Sequence, residues 1–304
     1  MDESDDLLTI YPHRERFTSL MQKYVTPLDH IVLAQDTLLG DGRATYTYAI
    51  AGKPHVLKVL FNPEHISGKK LLNLETFEQN ALALEQLATK SHTQYKRWPA
   101  LIARGTFKGK PAQIETNLAY HPGSIVGIKL DDYLKKLRMD KRFGFYRSVL
   151  VYLWLQDTHD VVTYDVQSSN LGIYGHPVET SLQVSDPDTA TIIDFGTSWV
   201  TGSPYNAVTR QEAYDICRAD FLSLIKFREM AAGTYWLAQE QLDAKDDLVG
   251  RERSFNRKHQ GKLETIETWK NEPLDTEQLM RKFTDLFFEK RGNTYVFPDT
   301  SAAG

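Results

Sequence analysis

The chain has 304 residues, enough for one large domain or for two lobes that each bury a core. Hydrophobic residues make up 41% and charged residues 25%, which is ordinary globular composition. The net charge of -4 at pH 7 argues against a general nucleic-acid binder, which carries a basic surplus to meet phosphate. The longest apolar run, Ser148 to Leu155, is too short to cross a bilayer. The stretch Met1-Asp-Glu-Ser-Asp-Asp6 is acidic where a leader peptide would be basic. Cys217 is the sole cysteine, so neither an internal disulfide nor a cysteine zinc cluster is available. The expectation is a soluble, cytoplasmic protein with no membrane span; non-classical secretion stays open.

Residues 1–30 read as an N-terminal extension, with a helix over Thr18 to Tyr24 that ends before Pro27. Strands are predicted at Ile31 to Ala34, Thr45 to Ile50 and His55 to Phe61, the last two joined by the turn chemistry of Ala51-Gly-Lys-Pro54. Leu74, Phe77, Leu84 and Leu87 recur at helical spacing and predict a helix from Leu71 to Leu87. Short strands follow near Ala100 to Ala103 and Gln113 to Leu118.

After His121-Pro-Gly123 the text turns helical, with helices predicted at Leu130 to Leu137, Phe143 to Asp157 and Ala213 to Ala232. Two short strands, Asn170 to Tyr174 and Thr189 to Asp194, interrupt them. Asp275 is a predicted cap for a last helix with an apolar stripe of Leu279, Met280, Phe283, Leu286 and Phe287. The charged stretch 243–272 reads as a solvated insertion. This order of elements predicts an α+β fold of two lobes, a small antiparallel sheet with one helix over 31–120 and a larger, mainly helical part over 121–304.

The chemistry concentrates in a few spaced motifs. Thr163-Tyr-Asp165-Val-Gln-Ser-Ser-Asn170 sets an Asp and an Asn five positions apart, and Ile192-Ile-Asp194-Phe-Gly196 follows. Upstream lie Leu39-Gly-Asp-Gly-Arg-Ala-Thr45 and Lys58, which sits in a predicted strand. Taken singly these are ordinary features: a strand lysine is usually a surface charge, and Gly-x-Gly is a hairpin turn. As an ordered set they resemble the protein-kinase superfamily, from about Leu39 to about Leu224, as an atypical and divergent member.

The resemblance implies a two-lobed protein-kinase-like fold that binds ATP and magnesium. It implies Asp165 and Lys58 as catalytic residues, with Asp165 orienting and deprotonating the attacking hydroxyl. Asn170 and Asp194 would supply hard oxygens to magnesium. Gly40 and Gly42 would let backbone lie close over phosphate, and Val56 would pack on the base. The floor of the base slot would fall on Gly172, which has no side chain. Lys58 would be held by a Glu of the following helix, Glu78 or Glu75, which share a helix side. Asp220 or Asp215 would buttress the catalytic loop.

Departures from the family pattern bear on the acceptor. Thr45 stands for the third loop glycine, and Thr163 and Tyr164 stand for the His-Arg before Asp165. Gln167 replaces the usual lysine, and no Ala-Pro-Glu follows Asp194. Three readings stay open: an atypical protein Ser/Thr kinase, a small-molecule kinase of the aminoglycoside or choline kinase kind, and a nucleotide-binding pseudokinase scaffold.

Overall fold

The computed structural model describes residues 14–41, 44–65, 72–90, 98–116, 125–126, 130, 133–134, 139–173, 190–226, 229, 261–292 and 294–298. The chain divides into two compact units. One is Met1–His121 with Asp194–Val208; the other is Pro122–Ile193 with Thr209–Gly304. The architecture is α+β, with a small antiparallel sheet and several helices.

The first unit is built on a five-stranded antiparallel sheet in the order β1-β2-β3-β5-β4. Its strands are β1 (Leu33–Asp41), β2 (Thr45–Ile50), β3 (His55–Leu60), β4 (Leu101–Phe107) and β5 (Lys110–Thr116). Alternation along β3 sorts the two faces. Leu57 and Val59 join Ile50, Phe107, Ala112 and Ile114 in one core. Leu60 joins Leu74 and Phe77 in a second core on the opposite face. That face is covered by helix α2 (Asn73–Lys90), and helix α1 is formed by residues 14–21.

The segment read as an extension belongs to these cores. Leu20 and Tyr24 pack with Leu60, Leu74 and Phe77, and Leu28 packs with Leu57 and Ile114. Its backbone also runs against β4, with Thr106 N donating to Thr26 O at 2.8 Å and Leu28 N to Thr106 O at 2.8 Å.

The second unit holds a three-stranded antiparallel sheet, β6 (Ile125–Val126), β8 (Leu171–Ile173) and β9 (Ala190–Ile192), in the order β6-β8-β9. The short strand β7 (Val161–Thr163) also belongs to it. Its helices are α3 (Met139–Asp157), α4 (Arg210–Ile225), α5 (residues 261–268) and α6 (Thr276–Phe287). An aromatic cluster fills the core, with ring centroids 4.6 Å apart for Phe143 and Phe287 and 4.9 Å for Phe283 and Phe287. Asp275 caps α6 in a reciprocal capping box with Gln278, as its sequence predicts. The end of the supposed solvated insertion is folded: Leu263, Ile266 and Trp269 are buried. Residues 243–260 lie outside the described residues, as does most of the predicted helix at Leu130 to Leu137.

Gly105 on β4 is required by the approach of the 14–28 arm. A Cβ there would stand 2.0 Å from Thr26 O and 2.9 Å from Leu28 Cγ. Gly105→Ala is expected to destabilise the protein by about 1–3 kcal/mol through overpacking against backbone that cannot yield. Gly261→Ala, which meets open space, should leave stability unchanged or raise it. Urea denaturation of both variants checks this.

Candidate active site

The candidate residues fall into two groups, each assembled within its own unit. In the first unit Lys58 extends from β3 on the face toward α2. It pairs with Glu115 of β5, Nζ to Oε2, at 2.9 Å. The two strands are antiparallel neighbours, with Lys58 opposite Gln113 and Val56 opposite Glu115. Lys58 and Glu115 are therefore diagonal neighbours on one face, a separation that a long side chain spans. Burial works against the ammonium charge, but the carboxylates of Glu115 and Asp194 outweigh it and hold the Lys58 pKa above the ordinary lysine value.

Asn80 of α2 ties these groups together. Its Nδ2 donates to Glu115 Oε1 at 2.7 Å and to Gln113 Oε1 at 3.0 Å. Its Oδ1 accepts the backbone N–H of Phe195 at 3.0 Å. Both N–H donors and the oxygen of that buried amide are thus engaged. The rest of the segment rests on the same helix. Gln79 donates to Ser198 O at 2.6 Å and to Asn206 Oδ1 at 2.9 Å, and accepts from Ser203 Oγ at 2.5 Å. A Cβ on Gly196 would lie 3.2 Å from Thr76 Cγ2. Asp194 itself is exposed, and its Oδ1 accepts Gly196 N at 2.9 Å.

The expected pairing of Lys58 with Glu78 or Glu75 is corrected by this arrangement. Glu78 is fully buried, but it accepts from Lys23 Nζ at 2.7 Å, from Tyr24 hydroxyl at 2.9 Å and from the Arg104 guanidinium. Glu75 pairs with Arg16 and accepts Leu72 N at 2.8 Å. The physical reason is supply: three cations from the 14–28 arm and β4 serve that side of the helix, so its carboxylates are already neutralised. Glu115 was missed because its role depends on strand register, which local spacing does not encode.

Gly40 lies within β1, opposite Thr47, rather than in the turn of the hairpin, and Gly42 lies outside the described residues. Val56 is buried on the same face of β3 as Lys58.

In the second unit Asp165 and Asn170 bracket a single 3-10 turn, Ser168–Asn170. Asn170 Nδ2 donates to Asp165 Oδ2 at 2.9 Å, and Gln167 Nε2 donates to the same oxygen at 3.2 Å. The amide nitrogen of Asn170 is thus committed to the carboxylate. Its Oδ1 is the remaining acceptor, and among the described residues no donor is bonded to it. Burial, with the charge of Asp165 adding to it, pushes the hydroxyl of Tyr164 up to about 12, so it stays protonated.

Asp215, itself about half exposed, pairs with the buried guanidinium of Arg218 at 2.9 Å. Asp220 is half-buried beside Cys217, whose thiol is pushed up to about 12 by burial and then by the charges of Asp220 and Asp157. Asp157, which the sequence did not single out, accepts from Arg210 at 2.6 Å, Thr276 at 2.7 Å and Tyr214 at 3.0 Å.

No family model matches the chain, and no curated protein matches it. Among solved structures it is similar to WbdD, determined as a co-crystal with the kinase inhibitor LY294002. The identity is 16% and the TM-score 0.37, over 70% of this chain and 44% of that one. The chain therefore covers less than half the length of that protein.

Glu78→Gln should destabilise the first unit by about 3–5 kcal/mol, because it leaves Arg104 and Lys23 beside a buried neutral group. Circular-dichroism melting measures the loss; a melt like the wild type's would mean that the arm and helix are joined by packing alone.

Proposed function

We propose that this chain is an ATP- and magnesium-dependent phosphotransferase of the protein-kinase-like class, acting on a hydroxyl acceptor. The observation that carries the reading is the ammonium of Lys58, 13% exposed, paired with Glu115 at 2.9 Å and acted on by the charge of Asp194. A charge kept in a buried site by two carboxylates is costly as a mere structural element, and it suits the neutralisation of phosphate.

The donor set also suits magnesium. Among the described residues no three His, Cys, Asp or Glu side chains gather as a metal cage. Magnesium does not need one: it takes one or two protein oxygens and completes its shell from phosphate and water. Asp194 and the Oδ1 of Asn170 are oxygens of that kind. Magnesium held by such an oxygen would supply charge neutralisation at the phosphates.

Asp165 supports the role of base. Two amide donors hold its Oδ2, which fixes the carboxylate without protonating it. An oriented, ionised carboxylate is what accepting a hydroxyl proton requires. Lys58, Val56 and the β1–β2 hairpin with Gly40 and Gly42 are assigned to the nucleotide.

The acceptor we assign is a protein Ser or Thr hydroxyl. The test is radiolabel transfer from ATP to the protein itself, to a generic protein and to a small-molecule panel. Label on an aminoglycoside or choline alone would reassign the acceptor to a small molecule. ATP binding without transfer to any of them would make the chain a nucleotide-binding scaffold.

Asp194→Ala is expected to abolish transfer with the fold intact; near-normal turnover in magnesium would remove the assignment. Asp165→Asn is expected to lower kcat by about 10²–10⁴-fold with nucleotide affinity retained. Activity is also expected without phosphorylation between Thr197 and Thr209. Tyr164 offers no guanidinium to grip a phosphate there, and Gln79 already holds the segment. Inactivation by phosphatase treatment would contradict this.

A further inference from the structure

We infer that Glu115 of β5 is the positioning residue that holds Lys58 for the nucleotide phosphates, so that the lysine is set by the sheet itself and not by a glutamate of the covering helix. The inference rests on the phosphotransferase reading above and names the residue that sets its nucleotide site.

Lys58 stands at one end of a chain of bonds inside the first unit. Lys58 Nζ meets Glu115 Oε2 at 2.9 Å. Glu115 Oε1 accepts from Asn80 at 2.7 Å. Asn80 Oδ1 accepts the N–H of Phe195 at 3.0 Å. Phe195 follows Asp194, whose carboxylate acts electrostatically back on Lys58. Both oxygens of Glu115 are therefore assigned, one to the lysine and one to the amide. The carboxylate is 1% exposed and cannot swing to solvent without leaving two donors unmet.

The helix contributes an uncharged link from Asn80, not from either glutamate expected to hold the lysine. Glu78 is engaged with Lys23, Tyr24 and Arg104, and Asn80 reaches the strand carboxylate with a neutral amide. A lysine held by a helix glutamate is lost whenever the helix shifts. A lysine held by the adjacent strand depends on the β3–β5 register, which five successive residue pairs fix from His55 to Val59. The Lys58–Glu115 pair is thus set by strand register, and the helix adds one neutral hydrogen bond to it.

The experiment is a double-mutant cycle read on three quantities: Mg-ATP affinity by calorimetry, KM for ATP against kcat, and melting temperature. The variants are Glu115→Gln, Lys58→Met and the pair, with Glu115→Asp as the conservative rescue. Glu115→Gln should weaken Mg-ATP binding about tenfold or more and raise KM more than it lowers kcat, since a charge-assisted bond to the lysine is lost. Glu115→Asp, which keeps the charge, should recover part of the affinity. In the Lys58→Met background Glu115→Gln should have no further effect on affinity, and the double variant should melt above the Glu115→Gln single, since the unpaired buried ammonium is gone.

Additive losses in the cycle, or wild-type affinity in Glu115→Gln with the loss falling on Glu78→Gln instead, would overturn the inference while leaving the phosphotransferase reading in place. Absence of any Mg-ATP binding by the wild type would overturn both.

Discussion

A lysine ammonium buried in a protein has to be answered by negative charge, or it gives up its proton. Lys58 is answered twice, by Glu115 and by Asp194, and much of the first unit follows from that demand. The carboxylate of Glu115 must be buried with it, so it needs a second donor. Asn80 supplies one. Asn80 then has an oxygen to satisfy, and the backbone of Phe195 satisfies it. The chain of obligations fixes strand, helix and the Asp-Phe-Gly segment relative to each other without any exposed ion pair, which would be worth little.

Helix α2 can serve this circuit because its sides are chemically distinct. Glu75, Glu78 and Glu85 meet Arg16, Lys23 and Arg104. Thr76, Gln79 and Asn80 meet the segment from Phe195 to Asn206 with neutral groups. Keeping charge off the second side matters. A glutamate at position 80 would face Glu115 across hydrogen-bonding distance, and two carboxylates there would force one to protonate. The division suits an amide at position 80, which donates to Glu115 and accepts from the backbone of Phe195.

Much of this was legible in the sequence because it is periodic or contiguous. The turn residues before His55 and the cap and stripe of α6 locate their elements within a residue or two. The Asp165–Asn170 spacing is local, and the loop that joins them closes on itself. What was not legible depends on register and on the distant arm. That Glu115 lies diagonal to Lys58 follows from pairing His55 with Thr116, and no spacing along the chain encodes that choice. That Glu78 is occupied follows from Lys23 and Tyr24, 55 and 54 positions away, in a stretch whose polar look suggested an extension. Tyr24 and Leu20 are in fact buried at 1% and 3% exposure. Asp157 was passed over because its partners arrive from α4 and α6, more than 50 positions on.

The two groups of candidate residues differ in how they are held, and the difference has a mechanistic consequence. Asp165 is positioned by its own loop: Gln167 and Asn170 lie two and five residues away, and Asn170 N bonds back to Gln167 O at 2.9 Å. Lys58 is positioned by residues 22 to 137 positions off, through a sheet, a helix and a returning segment. A short loop keeps its geometry through modest changes elsewhere, whereas the surroundings of Lys58 draw on strand, helix and returning segment together. Asp165 is thus the locally held part, and Lys58 is the part that reports on the integrity of the whole first unit. Conditions that loosen that unit should therefore release Lys58 from Glu115, whereas the bonds from Gln167 and Asn170 to Asp165 lie within its own loop.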